Sequence, residues 1–126
     1  MNPKRALRVL PFAGGVSFLA WTSTLLIPSV LDSGWDKFGH FAVFGILGWT
    51  AQLAVHADGR AHHGRTVLGV LLTAGYGVVD EWIQSGTAGR FPSVGDGLAD
   101  LAGGILGAWL WRFRSVGDRG RREGVR

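Results

Sequence analysis

Nine polar and charged residues interrupt an otherwise apolar chain, and they are of types that could do chemistry. The most informative are two adjacent carboxylates, Asp80 and Glu81, at the end of an apolar run, with Gln84 in the next turn. Charged side chains at membrane depth are energetically costly and usually mark a function. The candidate ligand-binding residues are Asp36, Lys37, His40, Asp80, Glu81, Gln84, Arg90, Asp96 and Asp100.

These residue types suit general acid–base chemistry on a bound molecule. The candidate catalytic residues are His40, Asp80 and Glu81, with a carboxylate as general base and the histidine as acid or base. Lys37 or Arg90 would hold an anionic group. A metal held by His40 and carboxylates is a further interpretation, but we expect no metal or other cofactor. Because serine-nucleophile, phosphate-loop and haem motifs are absent from the sequence, binding without catalysis stays open beside an enzyme.

Each of these side chains also has a structural interpretation. Asp36 and Asp96 each precede or open an apolar run, where a carboxylate can cap free backbone N–H groups. Lys37 can extend its charge to the membrane interface, and His40 can be a hydrogen-bonded core residue. Glu81 is compatible with a solvated helix end. A structural network of ion pairs therefore competes with a catalytic or binding site.

The composition limits the class of protein. The 126 residues allow one domain, and the chain is 47% hydrophobic with a mean hydropathy of +0.21. Cysteine is absent, which excludes disulfides and thiolate chemistry. The sequence pI near 10.7 could indicate nucleic-acid binding, but the arginines cluster at the chain ends and in one loop. We expect no nucleic-acid partner, because this distribution is typical of a membrane topology signal.

Four apolar runs approach the length of about 20 residues that crosses a bilayer. They cover approximately residues 7–30, 38–55, 66–83 and 97–113. The first could be a signal peptide, but its length and the lack of a persuasive cleavage site favour a retained helix. The fold prediction is all-α: residues 1–114 form a four-transmembrane-helix bundle, and the basic residues 115–126 form a disordered cytoplasmic tail.

The charges predict the orientation of this bundle. The terminal segments and the loop between the second and third runs carry a formal charge of +8, and the other two loops carry −4. Cytoplasmic segments are enriched in lysine and arginine, so both termini are predicted to be cytoplasmic. The loop that contains His56, His62 and His63 then faces inward, and we interpret it as solvated.

This topology brings the polar residues to the same membrane side. We expect His40, Asp80, Glu81, Arg90 and Asp100 to surround one outward pocket, with Arg90 as the counter-charge. The helices also need close packing, and small residues permit it in lipid. A G-x-x-x-G pattern in the fourth run makes Gly103 and Gly107 the predicted helix-packing residues.

The ordered motifs resemble the signature of the VanZ-like family. They are Asp36-Lys37-x-x-His40-x-x-x-Phe44, Asp80-Glu81-x-x-Gln84, Gly89-Arg90-Phe91-Pro92-Ser93 and Asp96-x-x-x-Asp100-x-x-Gly103-x-x-x-Gly107. The family pattern usually has asparagine where this chain has Asp100, so the site here gains an acid. The resemblance implies a small integral membrane protein, and the founding member is associated with low-level resistance to the glycopeptide teicoplanin.

The sequence therefore predicts a multi-pass protein of the bacterial cytoplasmic membrane. Its outward polar site would take a cell-envelope lipid, a lipid-linked molecule, or a lipopeptide or glycopeptide. The alternative is a non-catalytic accessory subunit, whose apolar faces pack into a larger membrane protein complex. Membrane lipid is an expected partner in both cases.

Overall fold

The computed structural model describes residues 3–24, 35–58, 62–87 and 93–123, which form four α-helices. The helices are α1 Pro3–Ser23, α2 Trp35–Val55, α3 His63–Ser85 and α4 Val94–Glu123. The described residues contain no strand. The predicted all-α class with four helices is therefore confirmed.

The helices α2 to α4 are longer than the apolar runs predicted from the sequence, because polar residues at their ends form additional helical turns. Asp36 and Asp96 lie within the first turns of α2 and α4, where a negative charge interacts favourably with the helix dipole. The fourth helix continues through Glu123, so the disorder expected from residue 115 onward is not what the structure shows for residues 115–123. Continuation of an existing helix avoids the cost of nucleation, so the segment is helical although it contains Gly117 and Gly120. Residues 124–126 lie outside the described part.

Helices α2 and α4 form the most extensive helix pair. A Cβ atom added at Gly103 would overlap the carbonyl oxygen of Phe41, and one added at Gly107 would overlap the carbonyl oxygen of Gly45. From the other side, Gly48 faces the backbone of Gly104. The glycines thus allow the two backbones to touch, which is the packing mode that small residues permit in lipid.

The outer surface of the bundle is apolar. The buried hydrophobic core comprises Phe44, Leu47, Ala51 and Ala108, whereas many larger apolar side chains on all four helices are exposed. Within the described residues, α2 and α3 are long and apolar enough to cross a membrane, and most of each candidate span is exposed. Membrane crossing by α1 and α4, and the cytoplasmic position of both termini, stay predictions.

The alternating helix directions give the bundle two chemically distinct ends. At the polar end, the end of α1 and the end of α3 meet the starts of α2 and α4, with contacts such as Ser23–Asp80 and His40–Asp100. At the opposite end, the start of α1 meets the end of α2, with Arg8 reaching the carbonyl oxygen of His56. Eight of the nine candidate residues are described, and they lie at the polar end; the ninth, Arg90, is outside the described residues.

Candidate functional site

Two cross-helix pairs connect α2 to α4 at the polar end. The ammonium of Lys37 lies 3.0 Å from Asp96 Oδ1, and His40 Nδ1 lies 2.9 Å from Asp100 Oδ1. His40 follows Lys37 by three residues on α2, and Asp100 follows Asp96 by four residues on α4. The two pairs therefore lie one helical turn apart. Asp100 is 1% exposed, whereas the Lys37 side chain is about half exposed. The deeper pair is therefore the histidine–aspartate pair.

The other ring nitrogen of His40 faces a second carboxylate. His40 Nε2 lies 3.9 Å from Asp36 Oδ1, and ligand atoms of Asp36, His40 and Asp96 all lie within 4.8 Å of one another. With Nδ1 engaged by Asp100, Nε2 is the ring atom available to a cation or proton. These three side chains could hold a metal ion, although Lys37 already neutralises Asp96 in this arrangement.

Asp80 forms a separate buried contact between α3 and α1. The hydroxyl of Ser23 donates to Asp80 Oδ1, and Gln84 Nε2 donates to Asp80 Oδ2 at 2.6 Å. Both oxygens of this buried carboxylate therefore have partners. Sequence reasoning placed Asp80 and Gln84 on one helical face but missed Ser23. A hydroxyl in a helix with neighbouring serines and threonines carries no distinctive signal, and only its position near the outward end could have suggested it.

Glu81 connects α3 to the start of α4. Its Oε2 accepts the backbone N–H of Ser93 at 3.2 Å, immediately before the first helical residue of α4. The solvated helix end considered for Glu81 is therefore wrong, since the side chain is partly buried and its Oε1 is inaccessible to solvent. Glu81 from α3 supplies this contact to the start of α4, while Asp96 lies inside the first turn and pairs with Lys37.

Two clefts lie on either side of the His40–Asp100 pair. The first cleft, between α1, α2 and α3, has a volume of about 200 Å³. The second cleft, between α3 and α4, has a volume of about 490 Å³. Residues that line the first cleft include Ser23, Asp36, His40, Phe44, Asp80 and Gln84. Residues that line the second include Val78, Glu81, Ser93, Val94, Leu98 and Asp100.

The residues predicted to share one pocket are divided between these clefts. Among the five, His40 and Asp100 are in direct contact, while Asp80 lines the first cleft with His40 and Glu81 lines the second with Asp100. Arg90 lies outside the described residues, so its role as counter-charge stays a prediction. The direct contact between His40 and Asp100 connects the residues of the first cleft to those of the second.

Two carboxylate oxygens at the second cleft have no hydrogen-bond partner among the residues that the structure describes. They are Glu81 Oε1 and Asp100 Oδ2, and both atoms are buried. Gly77 of α3 lies beside Asp100 Oδ2, because a Cβ added at Gly77 would lie 3.3 Å from that oxygen. Gly77 also lines the second cleft. Buried polar atoms are usually paired, so these two oxygens indicate a place where a ligand could donate hydrogen bonds.

The opposite end corrects one prediction from the sequence. His56, which was assigned to a solvated loop, is 2% exposed. Its Nδ1 lies 3.0 Å from the carbonyl oxygen of Gln52, and its ring stacks on Trp111 with centroids 4.2 Å apart. His62 and His63 are exposed, as a solvated position requires. The error arose because the partner ring comes from α4, far away in sequence.

The polar end is suited to binding and to proton transfer. Asp100 orients the imidazole of His40, which is a common arrangement for a group that takes or gives a proton. Ser23 lines the first cleft with His40, but its hydroxyl donates to Asp80 instead of to the imidazole. The described residues therefore do not form an activated serine. The geometry leaves His40 and the carboxylates as the chemically capable groups.

Comparison with known proteins gives one family assignment. The family model described as VanZ/LLP1 matches residues 2–115, which is most of the chain. No curated protein and no solved structure matches the chain.

Proposed function

Because this chain belongs to the VanZ/LLP1 family, we propose that its polar end binds an amphipathic molecule of the cell envelope. Family membership and the two apolar helices indicate a membrane protein. In this proposal the protein lies in the bacterial cytoplasmic membrane and its polar end faces outward. The ligand is a lipid, a lipid-linked molecule, or a lipopeptide or glycopeptide.

The second cleft is the observation that carries this proposal. It has carboxylates at its floor and apolar side chains along its walls, including Val78, Val94 and Leu98, which are 73%, 84% and 62% exposed. An amphipathic molecule has matching chemistry, since its chains can cover the apolar wall while its headgroup reaches the floor. A headgroup also supplies the donors that Glu81 Oε1 and Asp100 Oδ2 lack.

A role related to envelope antibiotics would follow from this binding. A protein that sequesters or masks an envelope molecule changes how an antibiotic reaches it. Asp100 lines the second cleft and contacts His40, which lines the first cleft, so the proposed function is binding and includes no proton transfer to the bound molecule.

Photocrosslinking tests the binding proposal. The full chain in lipid nanodiscs is exposed to an amphiphile that carries a photoreactive group midway along its alkyl chain, and labelled residues are mapped by peptide mass spectrometry. We expect labelling to concentrate at Val78, Leu98 and Leu101. The exposed Val67, Leu68 and Leu72 of α3, nearer the opposite end, provide the comparison. Equal labelling of both sets would contradict a specific cleft.

The accessory-subunit function is supported by a different observation. Aromatic side chains outside the clefts are exposed on α2 and α3, including Phe38 and Trp82 at 68% and 76%. Such surfaces can pack against lipid or against another membrane protein. Crosslinking in native membranes separates the two functions. Two results together would favour the accessory-subunit function. One is a second protein that crosslinks through Trp82 in a fixed ratio to this chain, and the other is labelling by the amphiphile that is equal inside and outside the cleft.

A further inference from the structure

We infer that the second cleft selects a lipid whose headgroup carries a primary ammonium. This inference rests on the proposed function, because it specifies the headgroup chemistry of the amphipathic ligand. It depends on the carboxylates of Glu81 and Asp100, which approach the cleft from α3 and α4.

The arrangement at Asp100 points toward the cleft. One carboxylate oxygen is engaged by His40 on the α2 side, and the other has no partner within residues 3–24, 35–58, 62–87 and 93–123. Neither this oxygen nor Glu81 Oε1 touches solvent in this arrangement, so a headgroup reaches them only when α3 and α4 separate slightly beside Gly77. Gly77 adjoins this oxygen and has no side chain that would separate it from the cleft.

Glu81 shows the same division. Its Oε2 accepts the backbone N–H of Ser93, and its Oε1 has no partner in the described part of the chain. Two different helices therefore each present a carboxylate with one engaged oxygen and one unengaged oxygen to the same cleft. A network confined to the protein would be expected to satisfy both atoms.

The headgroup chemistry follows from what carboxylates accept. Ionised carboxylates are acceptors only, so the ligand must supply N–H or O–H donors. A primary ammonium has three donors and a compact positive charge, which allows it to serve Glu81 and Asp100 together. A quaternary ammonium has the charge but no N–H, and a headgroup with only an anionic phosphate would be repelled. The cleft should therefore discriminate between headgroups that differ in N–H groups alone.

Lipid competition measured by native mass spectrometry tests this inference. The full chain is equilibrated with phosphatidylethanolamine and phosphatidylcholine that have identical acyl chains, and the ratio of bound lipids is measured. We expect phosphatidylethanolamine to be preferred by roughly tenfold or more, as two charge-assisted hydrogen bonds would provide. Glu81→Gln and Asp100→Asn should each bring the ratio toward one, because each removes an acceptor charge while keeping the side-chain shape.

A glycine variant tests the same contact without changing a charge. Gly77→Ala places a methyl group 3.3 Å from Asp100 Oδ2 and should reduce the preference for phosphatidylethanolamine. Gly75→Ala is the matched control on the same helix, because an added Cβ there meets nothing within 4 Å. Circular dichroism melts establish that each variant is folded before the lipid ratio is compared.

The outcomes separate this inference from the proposed function. Equal binding of both lipids, or preference for phosphatidylcholine, overturns the ammonium inference while leaving an amphiphile-binding cleft. Preference that persists in Glu81→Gln, Asp100→Asn and Gly77→Ala also overturns it. If neither lipid binds and the photoreactive amphiphile labels no cleft residue, the proposed function itself fails.

Discussion

The two ends of the bundle both bury polar side chains, but they satisfy them in different ways. At the opposite end, Gln52 Nε2 donates to the carbonyl oxygen of Thr66, and His56 Nδ1 contacts the carbonyl oxygen of Gln52. At the polar end, side chains bind side chains across helices, as in His40–Asp100 and Ser23–Asp80. The partners of Gln52 and His56 are backbone groups, whereas the partners of His40 and Ser23 are carboxylates.

This difference shows that burial of a polar residue is not by itself a sign of function. Backbone carbonyl groups are fixed by the helices, so the bond from Gln52 to Thr66 fastens α2 to α3, while the contact of His56 with Gln52 lies at the end of α2 itself. The contacts of the polar end adjoin two open clefts and leave carboxylate oxygens at the second cleft without partners. Gln52 Oε1 also lacks a partner, but Gln52 lines neither of these two clefts. The polar end therefore combines ionisable side chains with clefts that a ligand can enter.

The largest expected effect comes from the helix seam on which both ends depend. Gly107→Ala would drive a methyl group into the carbonyl oxygen of Gly45, and neither backbone can move without separating α2 from α4. We expect a loss of about 3 kcal/mol or more in the free energy of unfolding, at the upper end of overpacking effects. Thermal melts of the protein in detergent measure it, and both ends should lose order together.

Gly97→Ala provides the control for this variant. It lies on the same helix, and a Cβ added there meets nothing within 4 Å. Alanine also favours helix over glycine, so this variant should be neutral or slightly stabilising. Equal melting temperatures for Gly107→Ala and Gly97→Ala would show that the seam does not hold the two helices together.

The next effect is expected at Asp80, within the polar end. Asp80→Ala leaves the Ser23 hydroxyl and the Gln84 amide without their acceptor, at a cost of about 3 kcal/mol for two hydrogen bonds to a charged group. A double-mutant cycle with Ser23→Ala isolates the contact between α1 and α3. Additive effects in that cycle would mean that Asp80 does not hold α1 in place.

A smaller effect at His56 sharpens the contrast between the ends. His56→Ala removes one hydrogen bond and the stacking on Trp111, with an expected cost of about 2 kcal/mol. The lipid preference measured at the second cleft should be unchanged, because that cleft lies at the other end. A variant that folds but loses the lipid preference would show that the ends are not independent.

The sequence predicts the helices well because long apolar runs have few alternatives in lipid. It also predicts which residues share a face, since Lys37 and His40 are three apart and Asp96 and Asp100 are four apart. It does not predict the pairing of these faces, because that depends on the rotation of α2 against α4. The close backbone contacts at the glycines set that rotation, and the distances of those contacts are known only from the structure.

The division of the candidate site into two clefts has the same origin. Asp80 and Glu81 are adjacent in sequence but point in directions about a quarter-turn apart, so one faces α1 and the other faces α4. Both residues lie at the same end of the bundle, because they are neighbours near the end of α3. Assignment to a shared pocket required knowing which neighbour each face of α3 meets, and the sequence contains no local signal for that.

The smallest effect is expected at Lys37, which tests whether the outermost pair belongs to the site. Its side chain is about half exposed and crosses the first turn of α4, where a Cβ added at Gly95 would lie 2.8 Å from Lys37 Cε. Lys37→Met keeps the apolar stem and removes the charge, and a double-mutant cycle with Asp96→Asn isolates the ion pair. Exposed ion pairs contribute under about 1 kcal/mol, and salt weakens them. We therefore expect a small loss of stability that diminishes as ionic strength rises, measured by melts of Lys37→Met, Asp96→Asn and the double variant. A coupling above about 2 kcal/mol, insensitive to salt, would mean that the pair is effectively buried, and the polar end would then extend outward to include it.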